Sequence, residues 1–389
     1  MEIKQLSLEE FEKYREISYR SYPSIRDFSP QGYQDYDASV QALMKNQEEE
    51  LFYGAFEDGK VVGIMRHIIF QMNIFGKINE VGGFGYLGVD PFYKKQGIAG
   101  KLLAFFEEKA KERGNHTALL LPFRPDFYTK FHYGYLGKMN QYQVSPKYLP
   151  EKPDQVRVKE ISAKEALIFR QNTTALLHGM TKPLAIEEEE FEDNLKDIYL
   201  GAYLDKKLIA FGKYHWESLN PENYTKNAIV VTDLLSIHPL GLQGILSHFK
   251  NQSDQAKYVD FFTHQKNLEH LLTNPTDQSD HYFANGYLQT NIQAIGLMAK
   301  ILDPGLFYKT HYQDQPAIEI HTEDNIYRTS LNPKYSFHLP ARCLPALFFK
   351  EMSFRDFEEL GLIKVDEKDR EGLEKIFTGG FTIYNNADF

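Results

Sequence analysis

The alternation of apolar and polar positions divides the chain into short units that return in the same order. IKQL (3–6) reads as a strand, and Ser7 and Glu10 follow at the spacing of a capping box, which predicts a helix start. Near residue 158 the same grammar returns as VKEI (158–161), Ser162 and Glu165. LFYGAFEDGKVVG (51–63) predicts a hairpin turning at Asp58 and Gly59, and IYLGAYLDKKLIA (198–210) has the same shape. YLGVDP (86–91) pairs with LLSIHP (234–239). Three ordered matches at similar offsets predict duplicated domains.

The copies differ after their prolines. The first continues FYKKQGIAGKLLAFF, the second LGLQGILSHF, with no cationic residue ahead of its glycines. Ile98, Leu102, Phe105, Phe106 and Ala110 recur at helical spacing and predict a helix over 97–113, stopped by Gly114. Gly97, Ala99 and Gly100 therefore sit where the strand-like run GGFGYLGV feeds a helix N-terminus. Unpaired N–H groups and the positive end of the helix dipole favour an anion there, and Lys94 and Lys95 add charge. Small residues let a pyrophosphate approach the backbone. The loop is neither GxGxxG nor a Walker loop, and an ordinary strand-to-helix turn is the competing reading. If it holds phosphate, only the first copy does so; the second is structural or shapes a pocket.

From about residue 288 the pattern becomes short strand-like segments (IQAIGLMAKILD, PAIEIHTED, NIYRTSL, FHLPARCL) and then an amphipathic helix over 365–377. This predicts a third, α+β domain. The domains are set at 1–150, 151–286 and 287–389. The acidic run EEEEFED (187–193) reads as a solvated helix face.

Length and composition agree: 389 residues, 42% apolar, can bury two or three cores. A net charge of −10 argues against nucleic acid and favours cationic partners. One cysteine, Cys343, rules out a disulfide framework within the chain and, in LPARCLPALFF, reads as a buried inert thiol. The N-terminus is too charged for a signal peptide, and no apolar run approaches the roughly 20 residues of a membrane span. A cytoplasmic protein is expected. His264 and His270 have no ligand spacing, and no metal is expected.

Lys94-x-x-Gly97-x-Ala99 resembles the acetyl-CoA signature of the GNAT superfamily, [R/Q]-x-x-G-x-[G/A]; lysine replaces the usual arginine or glutamine and keeps the charge. TALLLP (117–122) and FRPDFYTKFHYGYLG (123–137) follow as in that superfamily. The order FY-x-x-F-x-YG, with three domains and a duplicated first unit, looks like the enhanced intracellular survival (Eis) group of acetyltransferases. The resemblance implies an α+β fold of tandem GNAT domains, the second degenerate, with a C-terminal domain like sterol carrier proteins, assembled as a hexamer. It implies acetyl-CoA as co-substrate. It also implies direct transfer to a small cationic amine, an aminoglycoside-like polyamine, or to an exposed lysine. The loop holds no cysteine to carry an acetyl group. The rival is a non-catalytic acyl-CoA- or lipid-binding module.

Carried over by position, the resemblance implies a site as follows. Leu87, Gly88 and Val89 form the splayed strand whose N–H meets the thioester carbonyl. Lys94, Lys95, Gln96, Gly97, Ile98, Ala99 and Gly100 cradle the diphosphate, with Phe123 and Arg124 nearby. Tyr128 is the general acid, since a phenol with pKa about 10 is protonated at neutral pH and donates to a thiolate; Tyr133 and Tyr135 are structural. The terminal carboxylate at Phe389 is the base. An unperturbed α-carboxyl, pKa about 3.5, needs desolvation or a water relay for that task. Asp388, with Asp27 and Phe28 of SIRDFSP (24–30), lines the acceptor pocket, where an acid and an aromatic face suit a cation. Without the family these would be a core tyrosine, a frayed tail and a polar loop.

Overall fold

The computed structural model describes residues 1–185, 196–387 and 389. The acidic run at 187–193 and Asp388 lie outside the described residues. The chain forms two compact units: one of Met1–Leu136, Leu297–Phe381 and Asn386–Phe389, the other of Gly137–Gly296 and Thr382–Asn385.

The first unit begins with β1 (Glu2–Gln5) and the anticipated capping box. The Ser7 N–H donates to the Glu10 carboxylate at 2.9 Å, and Ser7 Oγ accepts from the Glu9 N–H at 3.2 Å. A short 3-10 turn leads into α1 (Phe11–Ser21), which buries Phe11, Tyr14, Ile17 and Ser18 along one stripe. Ser29 then caps α2 (Pro30–Asn46). β2 (Glu50–Glu57) and β3 (Lys60–Ile74) form the expected hairpin. Asp58 and Gly59 both take positive φ (48° and 76°), the two-residue turn that matches strand twist. β4 (Lys77–Val89) returns antiparallel to β3, α3 (Ile98–Glu112) crosses over, and β5 (Thr117–Leu120) runs parallel to β4. α3 fills the predicted helix and buries Ile98, Leu102, Phe106 and Ala110 against Met65, Phe84 and Ala118. The opposite face of the sheet buries Phe52, Val61 and Ile64 against α1 and α2. α4 (Pro125–Tyr128) is a single turn after β5.

β6 (Gly134–Val144) leads into the second unit. There β7 (Val156–Glu160) is followed by α5 (Ala163–Thr173), capped by the Ser162–Glu165 box. β8 (Ile198–Leu204), β9 (Lys207–Ser218), β10 (Asn227–Ser236), α6 (Pro239–Lys250) and β11 (Ala256–Thr263) complete its sheet, in the order β7-β8-β9-β10-β11-β6. The duplication is therefore physical. Each unit has a first strand, a capped helix, a meander of three strands, a crossover helix and a parallel fifth strand. β12 (Tyr282–Phe283) and β13 (Gly286–Tyr287) make a small separate hairpin.

The last segment rejoins the first unit. β14 (Asn291–Ile301) places Met298 opposite Leu120 and Ile301 opposite Thr117, antiparallel to β5. Beyond it, α7 (Pro304–His311) leads to a four-stranded sheet of β15 (Ile318–His321), β16 (Ile326–Arg328), β17 (Tyr335–His338) and β18 (Lys364–Val365), ordered β16-β15-β17-β18. Phe307, Phe337, Phe348, Phe354 and Phe377 fill its core, together with α8 (Leu344–Phe348), α9 (Phe354–Glu359) and α10 (Glu367–Ile376). Cys343 is buried there, and burial pushes its thiol pKa up, as an inert thiol requires. No helix among the described residues is long and apolar enough to cross a membrane.

Candidate active site

The loop between β4 and α3 is built to expose amides. Asp90 caps the 3-10 turn Pro91–Tyr93 through the Phe92 N–H at 3.1 Å, and Lys13 holds the same carboxylate at 2.8 Å. Lys95 and Gly97 then adopt left-handed conformations (φ 63° and 80°), and α3 starts at Ile98 with no side chain capping it. Left-handed residues interleaved with ordinary ones are the backbone pattern of a nest, a turn whose N–H groups can face an anion, and this one stands at the positive end of a 15-residue helix. Glycine at 97 is required by φ, since a Cβ there would meet no other atom. Gly100 has a packing cause as well: a Cβ there would lie 3.0 Å from Phe131 Cζ.

The twin loop in the second unit has spent the same groups. His238 Nδ1 accepts the Leu240 N–H at 3.2 Å and caps α6 itself. Gly241 presses on Ala210 and the Ile209 carbonyl, and Gly244 on Val156. These glycines allow close helix–sheet packing.

A cavity of about 780 Å3 runs from the first loop along α3. Lys94, Lys95 and Gly97 line one part, with Ile98, Ala99 and Gly100 on the helix side and Phe123 and Arg124 across from them. Among the described residues Lys94 and Lys95 form no ion pair, whereas Arg124 is paired with Asp126 at 2.6 Å. Leu87, Val89 and Tyr128 also line it. Gly88 and Gln96 do not: Gly88 faces Ser21 and Ile17 beneath α1, and Gln96 is exposed. Sequence reading missed Tyr22, Tyr93, Phe127 and Phe131 in the wall. The aromatic residues around Tyr128 carried a signal in their density; Tyr22 carried none.

The cavity exists because β4 and β5 part. Their ladder is confined to Gly82↔Ala118 and Gly83↔Leu119. Farther along, β4 bulges: Gly85 faces Arg66 and Gly88 faces Ile64, so Tyr86 and Leu87 together oppose Met65 alone. Tyr86 takes φ 50° at this point. The result is a wedge whose floor is β4 main chain.

Tyr128 is 6% exposed, packed beside Phe84 and Phe127. Burial pushes its phenol pKa up to about 12, which keeps the proton in place at neutral pH. Tyr133 is wholly buried beside the Glu107–Lys300 pair (2.7 Å), and Tyr135 is 46% exposed; neither lines the cavity.

Phe389 packs within the first unit over the glycines of β4. Its ring meets Phe70 edge-on, and Cβ atoms added at Gly83 and Gly85 would lie 3.1 Å from its Cε1 and 3.5 Å from its Cδ1. The base of the ring thus lies toward Gly85 and the bulge, its tip toward Gly83. Asp27 and Phe28 are not brought to the cavity. Asp27 is exposed and accepts from Ser29 N–H (2.7 Å) and Oγ (2.9 Å), which lowers its pKa. Phe28, 55% exposed, stands edge-on to Tyr19 beside a separate hollow of about 760 Å3.

A family model described as an acetyltransferase (GNAT) domain matches residues 2–136. This part of the chain is therefore similar to GNAT acetyltransferase domains. The splayed strands and the uncapped crossover helix both lie inside the matched segment. The whole chain superposes on a GCN5-related N-acetyltransferase from Anabaena variabilis, with a TM-score of 0.76, 14% identity and 98% of each chain covered. It superposes equally on Eis1 from Mycobacterium abscessus, with a TM-score of 0.76, 14% identity and all of both chains covered. A probable N-acyltransferase from Enterococcus faecalis gives 0.76 at 12% identity, over 98% of each chain. These likenesses establish that the chain shares its fold with those three proteins over its whole length. No curated protein matches the chain.

Proposed function

We propose that the chain is an acetyl-CoA-dependent N-acetyltransferase that moves the acetyl group directly to a primary amine of a small polyamine or a lysine. The observation that carries this is the uncapped nest at Gly97, flanked by Lys94 and Lys95, at a cavity that also holds Tyr128. The nest and the two lysines suit a diphosphate. The β4 edge at Leu87–Val89 suits the pantetheine arm and the thioester carbonyl.

The amine lone pair attacks that carbonyl, the C–S bond breaks, and Tyr128 passes its proton to the departing sulfur. The terminal carboxylate at Phe389, through water, takes the proton that the new amide sheds. The packing of Phe389 beside the bulge supports a place for it near the reacting atoms. Asp27 and Phe28 would meet only the distal part of an extended acceptor. A sterol-carrier-like last domain, a hexameric assembly and cytoplasmic residence belong to the same reading.

The test is a panel of amines, kanamycin, tobramycin, polyamines and lysine peptides, incubated with acetyl-CoA and scored by mass shift and thiol release. Acetylation of at least one amine supports the reading. Tight CoA binding with no transfer to any amine would leave a carrier module instead.

A further inference from the structure

The bulge in β4 leaves one backbone group in need of a partner. Leu87 lies in it, outside the regular pairing with β3, and beyond the end of the ladder with β5. Its carbonyl is taken by a side chain: Tyr22, at the C-terminal end of α1, donates its hydroxyl to Leu87 O at 2.9 Å. Tyr22 lines the cavity with Leu87. Its ring stands edge-on to Tyr86, centroids 6.2 Å apart, and Tyr86 in turn carries the Arg66 guanidinium 3.8 Å from its centroid. Arg66 is fixed by Glu50 at 2.7 Å and Tyr14 at 2.8 Å. The phenol that holds Leu87 is thus held by a buried stack.

The hydrogen bond from Tyr22 fixes one side of the Leu87 peptide at the cavity wall, where the bulge frees it from the regular ladder. We propose that Tyr22 is a positioning residue: it fixes the Leu87 peptide so that the Leu87 N–H is presented to the carbonyl oxygen of the bound thioester. The proposal rests on the acetyl-transfer reading above. Tyr22's proton is committed to Leu87 O, so the group shapes the strand edge without supplying a proton to the reaction.

The test uses the full chain with Tyr22→Phe, which keeps the ring and its packing on Tyr86 and removes one hydroxyl. Three readouts are taken: kcat with an accepted amine, Kd for CoA by calorimetry, and the Leu87 carbonyl shift in protein labelled with 13C-leucine. A misplaced donor is expected to lower kcat roughly tenfold to a hundredfold, with Kd and melting temperature near wild type and the Leu87 shift moved even without ligand. The proposal is overturned by an unmoved Leu87 shift, by kcat within twofold of wild type, or by a kcat loss that merely tracks lost stability or CoA affinity. Failure of the underlying reading looks different: the wild-type protein itself would show neither CoA heat nor transfer.

Discussion

Phe389 meets Phe70 edge-to-face, ring centroids 5.2 Å apart, over a stretch of β4 that lacks side chains at Gly83 and Gly85. A Cβ at Gly83 would lie 2.4 Å from Phe70 Cε2 as well as 3.1 Å from Phe389, so even alanine displaces the pair. Gly83→Ala is expected to lower turnover about tenfold or more by moving Phe389, with CoA affinity held within twofold. Deleting 388–389, or appending residues after Phe389, should give the same split. Paired calorimetry and thiol-release assays check it; full turnover in the extended protein would remove the carboxylate from the mechanism.

Tyr128→Phe removes the proposed acid and leaves its packing with Phe84. Loss of general-acid assistance is expected to lower kcat by roughly a hundredfold, with little change in the Kd of CoA. Because burial raises this phenol to about 12, its ionisation sets no alkaline fall in rate below about pH 11. A wild-type pH–rate profile that loses activity near pH 9, restored to flatness in the Phe variant, would contradict the assignment.

The two crossover helices make opposite predictions for the same substitution. Gly97→Ala meets no neighbour but must hold φ 80°, a strain of about 1 kcal/mol that should weaken CoA roughly fivefold with modest loss of stability. Gly241→Ala puts its Cβ 2.8 Å from Ala210 Cβ and 3.0 Å from the Ile209 carbonyl. It should cost about 1–3 kcal/mol of stability and leave CoA affinity unchanged. Thermal melts beside calorimetric titrations separate the two.

This contrast marks how far the sequence reached. The hairpin turn at Asp58-Gly59, both serine capping boxes, the duplicated units and the helix after Gly97 were legible, because turn chemistry and periodicity are local. The wall of the site was only half legible. Lys94, Gly97 and Tyr128 sit in motifs, but Tyr22 reaches Leu87 across 65 residues of sequence through a bulge that no local pattern announces. Asp27 shows the converse: its residue type suits a cation, yet its carboxylate is engaged by Ser29 within its own turn. Gly100 also makes room for Phe131, a contact visible only in the fold.

Two buried histidines give a pH signature. Burial lowers His67 and His116 to about 4, so the folded protein keeps both neutral while the unfolded chain protonates them near 6.5. Their contribution is complete above pH 6.5 and is lost as pH falls from there toward 4, on the order of 3 kcal/mol each. Urea melts should show stability falling across that window, and His67→Gln or His116→Gln should flatten part of the slope. A wild-type stability that is level from pH 7 to pH 4.5 would contradict the burial of these rings as neutral groups.

Diphosphate binding at the Gly97 nest underlies every proposed step, and calorimetric titration of CoA into the wild-type chain and into Lys94→Glu/Lys95→Glu tests it directly. The expected result is saturable binding to one site per chain, weakened by salt and abolished in the double variant, whose fold is unchanged. No heat with the wild-type protein, or equal affinity in the double variant, would contradict it.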